Sequence, residues 1–170
     1  RESSGLPVPL ELEPIRKKSK AGDAAREGAA VRRAVDAPVV GERYEPSLLL
    51  GLGGMGRVFE CKDAELGRHV AVKTVRPDRA EVKGIAAHLE REGRLTALLE
   101  HPNIIPVYDA GKSPTVGPYY VMRVVRQPSL ATVLTRLRGR DPAAERDYGL
   151  GRLLRAFIQV CHAVAYAHDR

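Results

Sequence analysis

The residues best suited to chemistry are a glycine-rich segment and a lysine that follows it. Gly51, Gly53 and Gly56 form the pattern Gly-x-Gly-x-x-Gly, and Lys73 follows inside an apolar stretch. Glycine has no Cβ and an unrestricted φ, so the backbone N–H groups of such a segment can approach a polyphosphate closely. The pattern alone is a weak signal because glycine-rich turns are common. The neighbouring elements therefore decide what the segment can bind.

The residues that follow the glycines exclude two kinds of phosphate-binding loop. A dinucleotide-binding turn leads directly into a helix, whereas residues 57–61 follow a strand pattern. A Walker A loop ends in Gly-Lys-Ser or Gly-Lys-Thr, and here Arg57 follows Gly56. We therefore expect a hairpin between two strands. A plain hairpin with an excess of glycine and no ligand remains the alternative.

Lys73 and Glu92 are charged residues that occur within apolar patterns. Lys73 lies in a predicted strand over residues 70–75, and Glu92 lies on the apolar stripe of a predicted helix over residues 81–100. A charge in such a setting is costly unless it is paired. We therefore expect an ion pair between the two residues, which would aim Lys73 at a phosphate beneath the glycines. The alternative is that Glu92 lies at the solvent-exposed edge of its stripe.

Five strands and three helices are predicted around these residues. Alternating or β-branched patterns predict strands over residues 47–52, 57–61, 70–75, 104–109 and 119–125. Helical spacing predicts helices over residues 81–100, 129–137 and 149–168, with Ser129 as the N-cap of the second. Residues 139–145 are expected to form a charged loop. This order of elements indicates an α+β fold rather than alternating βαβ units.

The composition limits the class of protein. The chain has 170 residues, a net charge of +7 and 44% hydrophobic residues, which excludes a wholly disordered or fibrous protein. No apolar run reaches the roughly 18 residues that a membrane span needs. A basic run at residues 16–20 could bind nucleic acid or an acidic partner, but a solvated, flexible tail is the preferred interpretation.

The two cysteines and the first forty residues each have a simple structural interpretation. Cys61 and Cys161 lie within apolar patterns, which predicts reduced thiols in the core of a cytoplasmic protein. No Cys/His pair has the spacing of zinc ligands, so no metal site is predicted. Residues 1–40 combine prolines, small residues and charges without a sustained period, which predicts a disordered leader.

Four ordered motifs together resemble those of bacterial-type serine/threonine protein kinases. Residues 50–58 resemble the kinase glycine loop, and residues 70–73 resemble the strand that carries the kinase lysine. Glu92 resembles the glutamate of helix C, and residues 98–105 resemble the turn that follows that helix. The similarity extends from about residue 44 to residue 170.

The resemblance implies a role for each residue of an ATP site. Lys73 would contact the α- and β-phosphates, and Glu92 would orient it. The backbone of the glycine loop would cover the phosphates, and apolar side chains would enclose the adenine. The Arg123 carbonyl and the Val125 amide would bond the adenine, with Met122 at the back of the pocket. The implied nucleotide-binding residues are Leu50, Gly51, Gly53, Gly54, Met55, Gly56, Val58, Ala71, Lys73, Met122, Arg123 and Val125.

The resemblance also implies how the chain is organised. Residues 41–125 would form a kinase N-lobe, with a five-stranded antiparallel sheet and helix C, and residues 126–170 would begin a truncated C-lobe. The HRD, DFG and APE motifs are not in this sequence, and Asp169 of the terminal His-Asp-Arg is not expected to be the proton acceptor. We therefore expect a fragment of a longer protein, in which the apolar stripe of residues 149–168 lacks its cover.

The function implied by the resemblance is ATP binding within a cytoplasmic serine/threonine protein kinase. The parent enzyme would use Mg²⁺ and transfer the γ-phosphoryl group of ATP to proteins, and its metal ligands are not expected in this chain. The alternative is a non-catalytic nucleotide-binding or scaffold module that ends naturally at residue 170. A nucleic-acid-binding protein is disfavoured because no recognised module and no interleaved aromatic residues accompany the basic residues.

Overall fold

The computed structural model describes Val40 and residues 42–170. The predicted leader therefore lies outside the described residues, apart from Val40. The strands are β1 (Tyr44–Leu52), β2 (Gly56–Asp63), β3 (Arg68–Val75), β4 (Val107–Ser113) and β5 (Gly117–Arg123). The helices are α1 (Ile85–Ala97), α2 (Leu130–Arg138), α3 (Pro142–Asp147) and α4 (Leu150–His168), with a 3₁₀ turn at Pro77–Arg79.

The five strands form one antiparallel sheet in the order β1-β2-β3-β5-β4. The hairpin between β1 and β2 contains the predicted glycines, so the expected setting is confirmed. Strand β3 is central, and β5 lies beside it although α1 and β4 separate the two in sequence. The sheet therefore brings together residues that are about 50 positions apart, such as Lys73 and its register partner Tyr120.

The two faces of β3 contribute to two separate apolar clusters. Val70 and Val72 are fully buried on one face, in a cluster with Phe59 and Cys61. Val75 packs on the other face, in a cluster that includes Leu89 of α1. This is the alternation that a period of two predicts for a strand. It places Lys73, which lies two residues before Val75, on the side of the sheet that α1 covers.

One predicted helix and one predicted loop differ from the structure. Helix α1 covers residues 85–97 rather than 81–100, because Gly84 adopts a left-handed φ of 85° and separates the helix from the preceding turn. The expected charged loop over residues 139–145 overlaps helix α3, which begins at Pro142 and ends at Asp147. Asp141 caps this helix by accepting hydrogen bonds from the amides of Ala143 and Ala144, and Pro142 occupies its first turn. Both are helix-start signals.

The last hairpin is also shifted from its prediction. Strands β4 and β5 cover residues 107–113 and 117–123 rather than 104–109 and 119–125, because the chain turns at Gly117, whose φ is 69°. Strands β1, β2 and β3 are each longer than predicted. The prediction for Ser129 is confirmed, since its hydroxyl accepts a hydrogen bond from the Thr132 amide.

The two thiols differ in their surroundings. Cys61 is buried, and burial raises the pKa of its thiol to about 12. Cys161 is exposed on α4, so its predicted place in the core is wrong. The apolar stripe of α4 is exposed among the described residues, and Phe157 is 65% accessible. No helix in the described part of the chain has the length and apolarity needed to cross a bilayer.

A buried carboxylate holds the turn between β2 and β3. The Asp63 side chain is 1% exposed and accepts two hydrogen bonds from Arg43, at 3.0 Å from Nε and 3.1 Å from Nη2. It also accepts hydrogen bonds from the amides of Glu65 and Leu66, at 3.2 and 3.3 Å. The hydrogen-bonded Arg43 guanidinium holds the pKa of the Asp63 carboxyl below its ordinary value.

This carboxylate predicts a pH-dependent stability. Because folding lowers the pKa of Asp63, its contribution is complete above the unfolded pKa of about 3.9 and is lost as the pH falls through the folded pKa. We expect Asp63→Asn to lower the thermal midpoint at pH 7, and the difference from the unsubstituted chain to shrink below about pH 4. Circular dichroism melts between pH 2 and pH 7 measure both effects.

The matched control is Glu65→Gln. Glu65 pairs with the same arginine, at 3.1 Å from Nη1, but its side chain is 65% exposed, and exposed pairs contribute little to stability. We expect its melts to follow those of the unsubstituted chain at every pH. Equal midpoints for Asp63→Asn and the unsubstituted chain at pH 7 would contradict the role given to the buried carboxylate.

Candidate functional site

The predicted ion pair between Lys73 and Glu92 is present. Lys73 Nζ donates to Glu92 Oε1 at 2.6 Å and to Oε2 at 2.8 Å. The side chains are 19% and 36% exposed, respectively. Glu92 is therefore both paired and partly exposed to solvent. It lies one helical turn after the buried Leu89, at the edge of the face of α1 that packs on the sheet. The pair connects the central strand to the helix.

Tyr120 is a third member of this cluster, and the sequence analysis missed it. Its hydroxyl donates to Glu92 Oε1 at 3.1 Å, and Lys73 Nζ lies 5.6 Å from its ring centroid. Burial, and then the charge of Glu92 and the hydrogen bond to it, raise the pKa of the Tyr120 hydroxyl. A tyrosine within an apolar strand was the available signal, since a buried hydroxyl needs a polar partner.

The glycine segment, residues 51–56, is tied to the residue that follows β3. Within the segment, the Gly53 amide donates to the Gly56 carbonyl at 2.8 Å. The Arg76 amide donates to the Met55 carbonyl at 3.2 Å, and Arg76 Nη1 donates to the Gly53 carbonyl at 3.2 Å. Asp78 holds the same guanidinium, with 2.7 Å between Nη2 and Oδ2. Sequence reasoning also missed Arg76, whose role depends on the hairpin geometry.

The glycines of this segment are required for different reasons. A Cβ on Gly56 would lie 2.8 Å from the Thr74 carbonyl oxygen and 3.2 Å from Lys73 Cε, so the approach of β2 to β3 itself requires glycine there. A Cβ on Gly51 or Gly54 would meet nothing within 4 Å, and one on Gly53 would make only an ordinary contact. The space beside Gly51 and Gly54 is therefore open to a ligand.

The sheet brings most of the other predicted site residues into register. Val58 pairs with both Gly51 and Lys73, and Ala71 pairs with Met122. Met122 packs against the same cluster as Leu89, on the side of the sheet that α1 covers. Three predicted residues have more exposed side chains, with accessibilities of 38% to 46%: Leu50 on β1, Met55 in the glycine segment and Val125 after β5.

One backbone group at the end of β5 is already hydrogen-bonded. The Arg123 amide donates to the Pro106 carbonyl at 3.3 Å, which anchors this end of the strand to the start of β4. The hydrogen bond uses the N–H group of Arg123 and not its carbonyl.

Among the residues that the structure describes, no group of three or more His, Cys, Asp or Glu side chains could hold a metal ion.

Residues 44–170 match the family model described as the protein kinase domain. The chain is 34% identical over 137 residues to serine/threonine-protein kinase PknD of Protochlamydia amoebophila, covering 78% of this chain and 14% of that protein. It is 36% identical over 130 residues to serine/threonine-protein kinase PknA of Mycobacterium tuberculosis, covering 74% of this chain and 30% of that protein. The chain therefore spans less than a third of either relative.

Solved structures of kinase domains share the fold. The PknI kinase domain of M. tuberculosis superposes with a TM-score of 0.57 at 26% identity, over 76% of this chain and 49% of that one. The apo form of PpkA-294 gives a TM-score of 0.51 at 22% identity, over 59% and 42% of the two chains, which is a likeness of fold alone. The expected architecture, a five-stranded antiparallel N-lobe sheet with helix C and the first C-lobe helices, is confirmed.

The glycine segment allows a direct test of the two reasons for glycine. We expect Gly56→Ala to lower the free energy of unfolding by about 1–3 kcal/mol, because a methyl group 2.8 Å from a backbone carbonyl forces β2 and β3 apart. The matched control is Gly54→Ala, which meets no atom and should change it by less than about 0.5 kcal/mol. Urea unfolding measures both values, and equal stabilities for the two variants would contradict this interpretation.

Proposed function

Because this chain belongs to the protein kinase domain family and covers part of that domain, we propose that it forms the ATP-binding part of a serine/threonine protein kinase. The whole protein would transfer the γ-phosphoryl group of ATP to serine and threonine hydroxyls of protein substrates. The motifs that accept the hydroxyl proton and hold the metal ion in kinases are not among these residues. For this chain, the proposal therefore concerns ATP binding and orientation.

The observation that carries the proposal is the Lys73 ammonium, held by both oxygens of Glu92 near an open glycine segment. An ammonium has three N–H donors, and both oxygens of Glu92 lie on one side of it. An N–H group that does not face Glu92 can donate to a phosphate oxygen, as a charge-assisted hydrogen bond that is stronger than a neutral one. The open space beside Gly51 and Gly54 would admit the phosphates to their backbone amides.

The register of the sheet supports a place for the adenine. Val58 and Ala71 lie on adjacent strands, and Ala71 pairs with Met122 of β5. We propose that Leu50, Val58 and Ala71 enclose the base, with Met122 behind it. The Arg123 amide is already bonded to the Pro106 carbonyl. The Arg123 carbonyl would accept a hydrogen bond from the adenine amine, and the Val125 amide would donate one to the adenine ring.

The proposal includes the remaining expectations about the whole protein. Mg²⁺ would accompany the ATP phosphates, and none of its ligands is assigned to this chain. Residues 41–125 would act as the N-lobe and residues 126–170 as the start of the C-lobe. Protein substrates, and not nucleic acid, are the proposed partners. The proposed location is the cytoplasm, where ATP is present and a free thiol such as Cys61 stays reduced.

A substitution of Lys73 tests the proposal. We expect Lys73→Met to weaken MgATP binding by about tenfold to a hundredfold, which is the loss of one hydrogen bond to a charged group. Adenosine affinity should stay within about twofold, because adenosine has no phosphate. Glu92 is 36% exposed, so water can solvate the carboxylate that remains and the variant should fold. Calorimetric titration of the complete protein that contains this chain measures both affinities.

The matched control is Lys62→Met, at an exposed position on β2, and it should bind both ligands normally. Unchanged MgATP affinity in Lys73→Met would contradict the proposed site. Transfer of ³²P from ATP to the serine or threonine of an acceptor protein tests the activity itself. Binding of ATP without any transfer would favour the non-catalytic module over the kinase.

A further inference from the structure

We propose that Tyr120 is a positioning residue that holds the Glu92 carboxylate, and through it Lys73, in the orientation that meets a nucleotide phosphate. The inference rests on the proposed function, because it requires Lys73 to bind phosphate. It adds a residue from β5 to a pair that otherwise joins only β3 and α1.

Glu92 needs a second donor to keep one orientation. Its side chain is 36% exposed, so water competes for the carboxylate. Its first partner, Lys73, is a point charge on a flexible four-carbon stem and imposes little direction of its own. Tyr120 donates to Oε1, the same oxygen that lies 2.6 Å from Lys73 Nζ, while Oε2 accepts from Lys73 alone among the described residues. The phenol therefore distinguishes the two oxygens and selects one rotation of the carboxylate.

Tyr120 is itself fixed by its surroundings. It is 5% exposed and packs in the cluster that contains Val75 and Leu89. Its ring lies against the backbone of α1 at Gly93, where an added Cβ would be only 2.9 Å from Tyr120 Cδ1 and 3.2 Å from Cγ. A tyrosine with a fixed ring presents its hydroxyl at one point, and such preorganisation is what an oriented site needs.

The geometry also joins the two contacts to one another. Lys73 and Tyr120 are register partners on adjacent strands, so their separation is set by the sheet and does not depend on α1. The Glu92 carboxylate on α1 is then held by two donors, Lys73 and Tyr120, that belong to the same sheet. Movement of α1 away from the sheet would break both contacts together. The cluster couples the position of the helix to the direction of Lys73.

The decisive variant is Tyr120→Phe, which keeps the ring and removes only the hydroxyl. We expect MgATP affinity to fall by about threefold to tenfold, from the loss of one hydrogen bond to a charged group that acts indirectly on the ligand. Adenosine affinity should not change, because adenosine has no phosphate. The matched control is Tyr119→Phe on the same strand, whose ring packs edge-on against Tyr44, 6.1 Å away. It should bind both ligands normally.

A double-mutant cycle separates positioning from a structural role. In a Glu92→Ala background the Tyr120 hydroxyl has no carboxylate to hold, so adding Tyr120→Phe should change MgATP affinity by less than about twofold. If Tyr120 served only to stabilise the fold, the same substitution would have the same effect in both backgrounds. Equal effects in the two backgrounds would therefore overturn the inference.

Gly93→Ala provides a second variant that retains every polar group. Its methyl group would displace the Tyr120 ring or α1, so MgATP affinity should fall although alanine favours the helix. Unchanged MgATP affinity in both Tyr120→Phe and Gly93→Ala, with binding weakened as expected in Lys73→Met, would overturn the role of Tyr120 and leave the proposed function standing. Unchanged MgATP affinity in Lys73→Met would overturn the proposed function, and the inference would fall with it.

Discussion

The ion pair between Lys73 and Glu92 is the constraint to which the surrounding structure conforms. A charge removed from water is costly unless it is paired in good geometry and its remaining bonding capacity is satisfied. Here both oxygens of Glu92 accept from the ammonium, at 2.6 and 2.8 Å. The pair also needs a helix that packs on one face of the sheet and a central strand that presents its lysine to that face. Helix α1 and strand β3 meet these requirements.

Two glycines show how closely the backbone must approach around this pair. Gly56 lets β2 approach the Thr74 carbonyl and the stem of Lys73, and Gly93 lets α1 approach the ring of Tyr120. In both places, the atoms that leave no room for a Cβ belong to the protein itself. Gly51 and Gly54 have no such neighbour, and the proposal that they serve a bound phosphate gives them a different reason. One residue type thus has two roles within a single site.

Much of the fold could be predicted because its local signals are strong. The β-branched run at residues 70–75 identified strand β3, and two charges within apolar patterns identified the pair of Lys73 and Glu92. The errors lie at boundaries and in short elements. Gly84, with its left-handed φ, makes α1 begin four residues later than predicted, and Asp141 with Pro142 begins a helix where a charged loop was expected. Cys161 lies in an apolar pattern but is exposed, because no described residue covers that side of α4.

The sequence by itself determined the chemistry of the central pair. Lys73 and Glu92 are charges within apolar patterns, and the cost of burying an unpaired charge is enough to predict that they meet. The tertiary structure alone decided their other partners, Tyr120, Gly93 and Arg76. A hydrophobic period reports which face of an element is buried, but it does not report which strand lies beside it. Tyr120 reaches Glu92 because β5 pairs with β3 across the intervening α1 and β4, and that pairing is a property of the whole sheet.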